Sequence, residues 1–263
     1  MYIGYFNRGT TWRRLGESAK AVEDFTKVLE LKPGFARAFE ARGMAQADSG
    51  AHAAAMADLD EAVKRGGDDW RFLYSRAVVL RSEGDSEAAL SDLSAAGNLK
   101  QDGAQVVLMR ALILADQGDD AGAGVQISQA PSKGREEALI SYTRAAVAFR
   151  AGRIAEADAD VDRAIALRGD LAAARTLKGR ILEARGEPAA ARTSYAKALV
   201  AVQDSFDGFA ARRLANERLA VLGRPAPAKG GRDVAEVKLE TRPLDCKVFL
   251  PATGSVVTAK CSE

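Results

Sequence analysis

The sequence holds one histidine and two cysteines, and aromatic residues make up only 6% of its 263 positions. With His52 as the single histidine, a Ser-His-Asp or Cys-His nucleophile would depend on one residue in a turn, and a zinc site would lack its usual donors. His52 reads as a solvated turn residue. A G-x-x-x-x-G-K-[ST] phosphate cradle is missing, and no strand pattern precedes Gly122 and Gly124 as a dinucleotide site requires. Asp158, Asp160 and Asp162 begin like a calcium loop, but Arg163 stands where that loop needs glycine and Gly169 where it needs a bidentate glutamate. The expectation is a chain that is not an enzyme and holds no cofactor or metal.

An excess of one charge is missing too. Lys plus Arg number 38 against 36 Asp plus Glu, a net of +2, so no broad field draws nucleic acid, and none is expected as a partner. No run approaches the roughly 18 apolar residues of a membrane span; the best, from Val106 to Ala115, is broken by Arg110. Residues 1–10 lack the basic and apolar stretches of an export signal, and the first helix begins near Tyr2 without a capping residue, as though sequence upstream were absent. What is abundant is alanine and leucine, within an apolar share of 47%, which suits closely packed helices better than a sheet core.

The organisation is set by a glycine period. Gly16, Gly50, Gly84, Gly118, Gly152 and Gly186 are each 34 residues apart. Seven residues before each stands Gly9, Gly43, Ala77, Ala111, Ala145 or Gly179, and five after each stands alanine: Ala21, Ala55, Ala89, Ala123, Ala157 and Ala191. Nine residues after, the side chain is large (Phe25, Leu59, Leu93, Ile127, Val161, Tyr195). Small residues let one helix approach another and large ones fill what remains, at spacings that share a helix face.

This pattern resembles the tetratricopeptide repeat, with Trp12, Gly16, Ala21, Phe25 and Pro33 all in family places in the first unit. The resemblance implies an all-α fold, a right-handed α-α superhelix of helix pairs with a concave inner face, and a non-catalytic role in binding a protein or peptide. The domains read as six repeats over residues 1–203, a capping helix over 204–222, a linker over 223–232 and a small β-type tail over 233–263. Pro131 falls inside the second helix of the fourth unit, which should stop near Ala130. The capping helix carries charges on one side, at Arg212, Arg213, Glu217 and Arg218, as a solvated end needs.

Eight residues before each glycine is a cation (Arg8, Arg42, Arg76, Arg110, Arg144, Lys178), and eight after it usually an aspartate (Asp24, Asp58, Asp92, Asp160). The spacing predicts ion pairs within each repeat rather than an open basic stripe. Lys178, with Ser194 opposite, should have less demand for a carboxylate. By the family resemblance the first helix of each pair lines the concave face, which makes Phe6, Arg13, Arg37, Glu40, Arg71, Tyr74, Val78, Arg81, Leu108, Leu112, Leu139, Tyr142 and Phe149 the expected peptide-binding groove. An acidic ligand end would then lie toward Arg37 and Arg71. Phe6 and Thr10 stand where one family variant keeps a lysine and an asparagine to clamp chaperone carboxylates, which disfavours that ligand. A second reading is an assembly subunit that stacks on further repeats or a second copy through its first helix.

The tail changes character. Pro225 and Pro227 disrupt helix, and Cys246–Leu250 and Ser255–Ala259 read as strands around a Thr253-Gly254 turn. That turn pairs Leu250 with Val257, Val248 with Ala259 and Cys246 with Cys261, so a disulfide between the two cysteines is expected. Closing a loop of ~16 residues would contribute about 3 kcal/mol and point to a periplasmic or secreted location, with the cytoplasm as the alternative.

Overall fold

The computed structural model describes residues 2–99, 103–132, 134, 136–201, 208–223, 245–250 and 255–260. Within them, six antiparallel helix pairs follow one another: α1 (Tyr2–Arg14) with α2 (Ser18–Leu31), α3 (Ala36–Asp48) with α4 (His52–Gly66), α5 (Trp70–Glu83) with α6 (Ser86–Leu99), α7 (Ala104–Asp116) with α8 (Asp120–Gln129), α9 (Glu136–Arg150) with α10 (Ile154–Leu167), and α11 (Ala172–Ala184) with α12 (Pro188–Val200). A further helix, α13 (Gly208–Leu222), follows.

Each periodic glycine ends the first helix of its pair. All six adopt positive φ, between 74° at Gly152 and 86° at Gly84, where an L side chain is strained. The residue after each donates its N–H five residues back, from Glu17 to the Trp12 carbonyl at 2.9 Å through Glu187 to Leu182 at 2.9 Å, which satisfies a carbonyl the helix end would leave open. Asp85 and Asp119 then cap the next helix by accepting from the Ala88 and Gly122 amides, at 3.1 and 2.8 Å. Glu187 makes no such bond, and Pro188 opens α12 with its fixed φ instead.

The columns of small residues become helix contacts. The six alanines five places after the glycines are all fully buried. Opposite the small residues of the first helices lie the large ones of the second; both rings, Phe25 and Tyr195, fall opposite glycine, as does Leu59 opposite Gly43. A Cβ placed on Gly179 would lie 2.5 Å from the Tyr195 ring and one on Gly9 2.9 Å from the Phe25 ring, whereas Leu93, Ile127 and Val161 face Ala77, Ala111 and Ala145. Helix α8 has 10 residues and stops at Gln129, ahead of Pro131, whose ring would clash with the preceding turn.

One expectation for α13 is corrected. Its described part is Gly208–Leu222, with residues 204–207 outside the described set, and Arg212 is not on a solvated side but only 9% exposed. The helix packs on α11 and α12 and also reaches α3, so its arginine is enclosed by the array.

Residues 225–263 form a separate unit, in which β1 (Asp245–Leu250) and β2 (Ser255–Lys260) pair antiparallel. The register differs from the expected one. Val248 is opposite Val257 and Cys246 opposite Ala259, because the ladder closes at Leu250–Ser255. The opposition of Cys246 and Cys261 on which the expected disulfide rested is therefore lost; Cys261, the expected turn at Thr253-Gly254, the strand over 234–241 and the linker residues 224–232 lie outside the described residues.

Candidate partner-binding face

Five of the six cations in the column are paired within the fold. Arg8 forks onto Asp24 at 2.7 and 2.6 Å, Arg42 onto Asp58 at 2.7 and 2.8 Å, and Arg76 onto Asp92 at 2.8 and 2.7 Å. Arg144 pairs likewise with Asp160, and that partner holds its guanidinium above its ordinary range. Such bidentate pairs fix the crossing of the two helices and leave no open basic stripe there. Lys178 departs from expectation. With Ser194 opposite it does not go without carboxylates but takes two from α10, Asp158 at 2.6 Å and Asp162 at 2.8 Å.

The first helices of successive pairs lie side by side, along the face that the family resemblance implies is the inner one. They are joined by a second set of polar contacts, each spanning 35 residues and absent from the expected pairs. Arg13 Nε donates to Asp48 at 2.6 Å, Ser75 Oγ to Glu40 at 2.7 Å and Arg81 Nε to Asp116 at 2.7 Å, while Arg218 of α13 pairs with Glu183. Burial pushes the Glu40 and Asp48 carboxyls above their usual range, against the pull of Ser75 and Arg13 respectively. The sequence signal was available as residue types of complementary polarity one repeat plus one position apart.

The thirteen expected groove residues divide three ways. Tyr74, Val78, Leu108, Leu112, Leu139 and Tyr142 are all at most 6% exposed and belong to the core shared by neighbouring repeats, not to an open surface. Each repeat needs those apolar side chains to bury a face it cannot cover alone. Arg13, Glu40 and Arg81 are held in the contacts just described, Arg71 is forked onto Asp69 at 2.8 and 2.7 Å, and Phe6 packs between Phe25 and Phe35 at 5.6 and 5.5 Å. Arg37 is exposed, and Phe149 is half-buried with the Arg180 guanidinium 4.7 Å above its ring. The acidic-end expectation thus keeps Arg37 and loses Arg71 to its own helix cap.

Helix α13 covers part of this face. Ala210 and Ala211 join the main core, and the Ala211 carbonyl accepts from Thr176 at 3.2 Å. Arg212 donates to the Ala201 carbonyl and, across 198 residues, to the Arg14 carbonyl at 3.3 Å. Burial lowers its guanidinium, opposed by Asp48. Beside α13 lie three cavities. One of about 150 Å³ is lined by Leu112, Tyr142, Ala146, Leu177, Arg180 and Leu214, one of about 190 Å³ by Arg81, Asp116 and Arg213, and one of about 410 Å³ by Leu15, Asp48, Arg212 and Asn216. Asp48, Asp116, Arg180 and Arg212 are the inner-face residues that sequence reasoning missed.

A family model described as "Tetratricopeptide repeat" matches residues 6–69, 57–102 and 142–207. Among solved structures, a chain of the Cut9–Hcn1 hetero-tetramer of the APC/C aligns with a TM-score of 0.58 at 14% identity, over 84% of this chain and 43% of that one, a likeness of fold. The peptide-binding tetratricopeptide protein YrrB aligns with a TM-score of 0.44 at 20% identity, over 71% and 92% of the two chains. A curated co-chaperone, the tetratricopeptide repeat and J domain-containing DNJ1 of Fusarium oxysporum f. sp. lycopersici, is 53% identical over 34 residues, which is 13% of this chain and 6% of that protein. This chain therefore spans less than half of both the Cut9–Hcn1 chain and DNJ1.

Proposed function

The chain belongs to the tetratricopeptide repeat family, and from that premise we propose that it is a non-catalytic scaffold whose inner face binds a protein or peptide segment. The observation that carries this reading is the unfilled space at that face, lined by apolar side chains together with Arg81, Arg150 and Arg180. Leu112, Tyr142 and Leu177 border a cavity of about 150 Å³ beside the cationic Arg180 and the half-buried Phe149, the mixture of apolar anchor and polar handle that protein contacts favour. That the aligned Cut9–Hcn1 chain is part of a hetero-tetramer agrees with partner binding. The test is a displayed peptide library selected on the full chain. Selected peptides are expected to lose more than about 2 kcal/mol of binding in Phe149→Ala with helicity intact, and to be unaffected by Glu87→Ala on α6. The reverse pattern moves the site off the inner face.

Stacking through α1 has thinner support, since within that helix Ile3 is the large apolar side chain left exposed. A periplasmic or secreted location is a separate proposal, one that no longer has the directly opposed cysteines behind it. A thiol titration of the unfolded, unreduced protein decides it, two free thiols per chain returning the protein to the cytoplasmic alternative.

A further inference from the structure

Helix α13 is seated unevenly. On one flank Ala215, Leu219 and Leu222 pack into the cluster of Leu182, Ala191, Tyr195 and Ala198, as a terminal cap does. On the other, toward α5, α7 and α9, it leaves two half-open clefts of about 150 and 190 Å³, and a third of about 410 Å³ opens between it, the α1–α2 turn, α3 and α12.

Its polar contacts on that flank are also incomplete. Arg212, 9% exposed, is bonded to two carbonyl oxygens, and its Nε has no partner among the described residues. Asp48 lines the same 410 Å³ cavity, and its Oδ1 likewise has none, its other oxygen being taken by Arg13. A nitrogen of a buried cation and an oxygen of a buried carboxylate thus lie beneath the floor of one cleft without a hydrogen-bond partner among the described residues, which leaves interaction free energy unclaimed. The stripe that α13 turns to the array is small, Ala210, Ala211 and Ala215 with Leu214, so the seat is shaped for a close-lying helix.

We propose that α13 is an exchangeable occupant of the inner face, which a partner's amphipathic helix displaces by presenting the same stripe of small residues together with a basic side chain long enough to reach Asp48. Such a helix makes the contact that Arg212 leaves unmade and fills space that α13 leaves open. This rests on the inner face being the binding face, and it names the ligand class as a helix rather than an extended peptide.

The probe is a fluorescein-labelled peptide of residues 208–222, titrated into the unmodified full chain and into Ala211→Glu/Ala215→Glu, which places carboxylates in the seat and expels the chain's own helix. The peptide is expected to bind the variant at least tenfold more tightly than the unmodified chain. Equal affinity for the two, or no binding to a variant whose circular dichroism shows the array intact, overturns the proposal. Should the variant lose the array's helicity, hydrogen exchange in the unmodified chain decides: amides of α13 exchanging at least tenfold faster than those of α11 support exchangeability, and equal protection overturns it. Failure of the broader reading is distinguishable, because library peptides would then find no inner-face dependence even while residues 208–222 exchange as described.

Discussion

The packing of a ring against glycine makes a sharp forecast at Gly179. Alanine is the better helix former by about 1 kcal/mol, so propensity alone says that Gly179→Ala stabilises α11. Packing says otherwise. The new Cβ would lie 2.5 Å from Tyr195 Cε1 and 2.7 Å from both Cδ1 and Cζ, contacts that real Cβ atoms do not make, and the ring is fully buried with no room to slide. Overpacking of this kind costs about 1–3 kcal/mol, and three ring atoms in conflict place it at the upper end. The net expectation is a loss of about 1–2 kcal/mol, read as a lower urea midpoint at unchanged slope. The pair Gly179→Ala/Tyr195→Leu rebuilds the combination that Ala77 and Leu93 already form in the third repeat. The double mutant should therefore be more stable than the sum of the single changes by at least about 1 kcal/mol. Gly4→Ala, whose Cβ meets nothing within 4 Å, is the control and should stabilise by about 0.5–1 kcal/mol. A stabilised Gly179→Ala, or additivity in the cycle, would refute the claim that this glycine and this ring are matched by volume.

Three further outcomes are expected. Asp58→Ala strips the fork from half-buried Arg42 and should lower stability by about 1–3 kcal/mol in urea unfolding, whereas removal of the exposed Asp60 carboxylate costs at most about 1 kcal/mol. Gly50→Ala has free space for its methyl but keeps φ at 83°, so it should cost about 1–2 kcal/mol through backbone strain alone, measurable in the same assay. Carboxyl-carbon NMR should show Glu40 and Asp48 titrating above the ordinary carboxylate range. Because the fold binds these protons before the unfolded chain does, the penalty is full above the raised values and is relieved as pH falls through them. Glu40→Gln should accordingly gain stability at neutral pH and lose that gain in acid, and an unchanged pH profile would speak against burial as the cause.

The periodic part of this architecture was legible because a 34-residue repeat converts sequence columns directly into contacts. Arg42 and Asp58 sit within one repeat, and their pairing follows from two helices and one turn. Pro131 ends α8 through a local clash, which any sequence containing it would suffer. Contacts between repeats were harder. Arg13–Asp48 and Arg81–Asp116 depend on how neighbouring pairs rotate, and the groove expectation erred in the same place: Leu108 and Tyr142 point inward but are consumed by the adjacent helix. The return of α13 to Arg14 was beyond reach, since it sums a small rotation over six repeats and no single residue encodes it. In the tail, the expected register is off by two residues because the assumed Thr253-Gly254 turn fixed every pair, and the alternation of side chains is the same in either register.

The truncation of α8 also has a mechanical meaning. At 1.5 Å per residue its 10 residues span about 15 Å, against about 21 Å for the 14 of α6 and of α10. An array of stacked repeats is a spring whose stiffness at each coil is supplied by the helix flank shared with the next. At the fourth coil the second helix gives up part of that flank, and α7 takes it over by lying against α9 more extensively than the other neighbouring first helices touch, so a pull along the array passes there through the row of first helices.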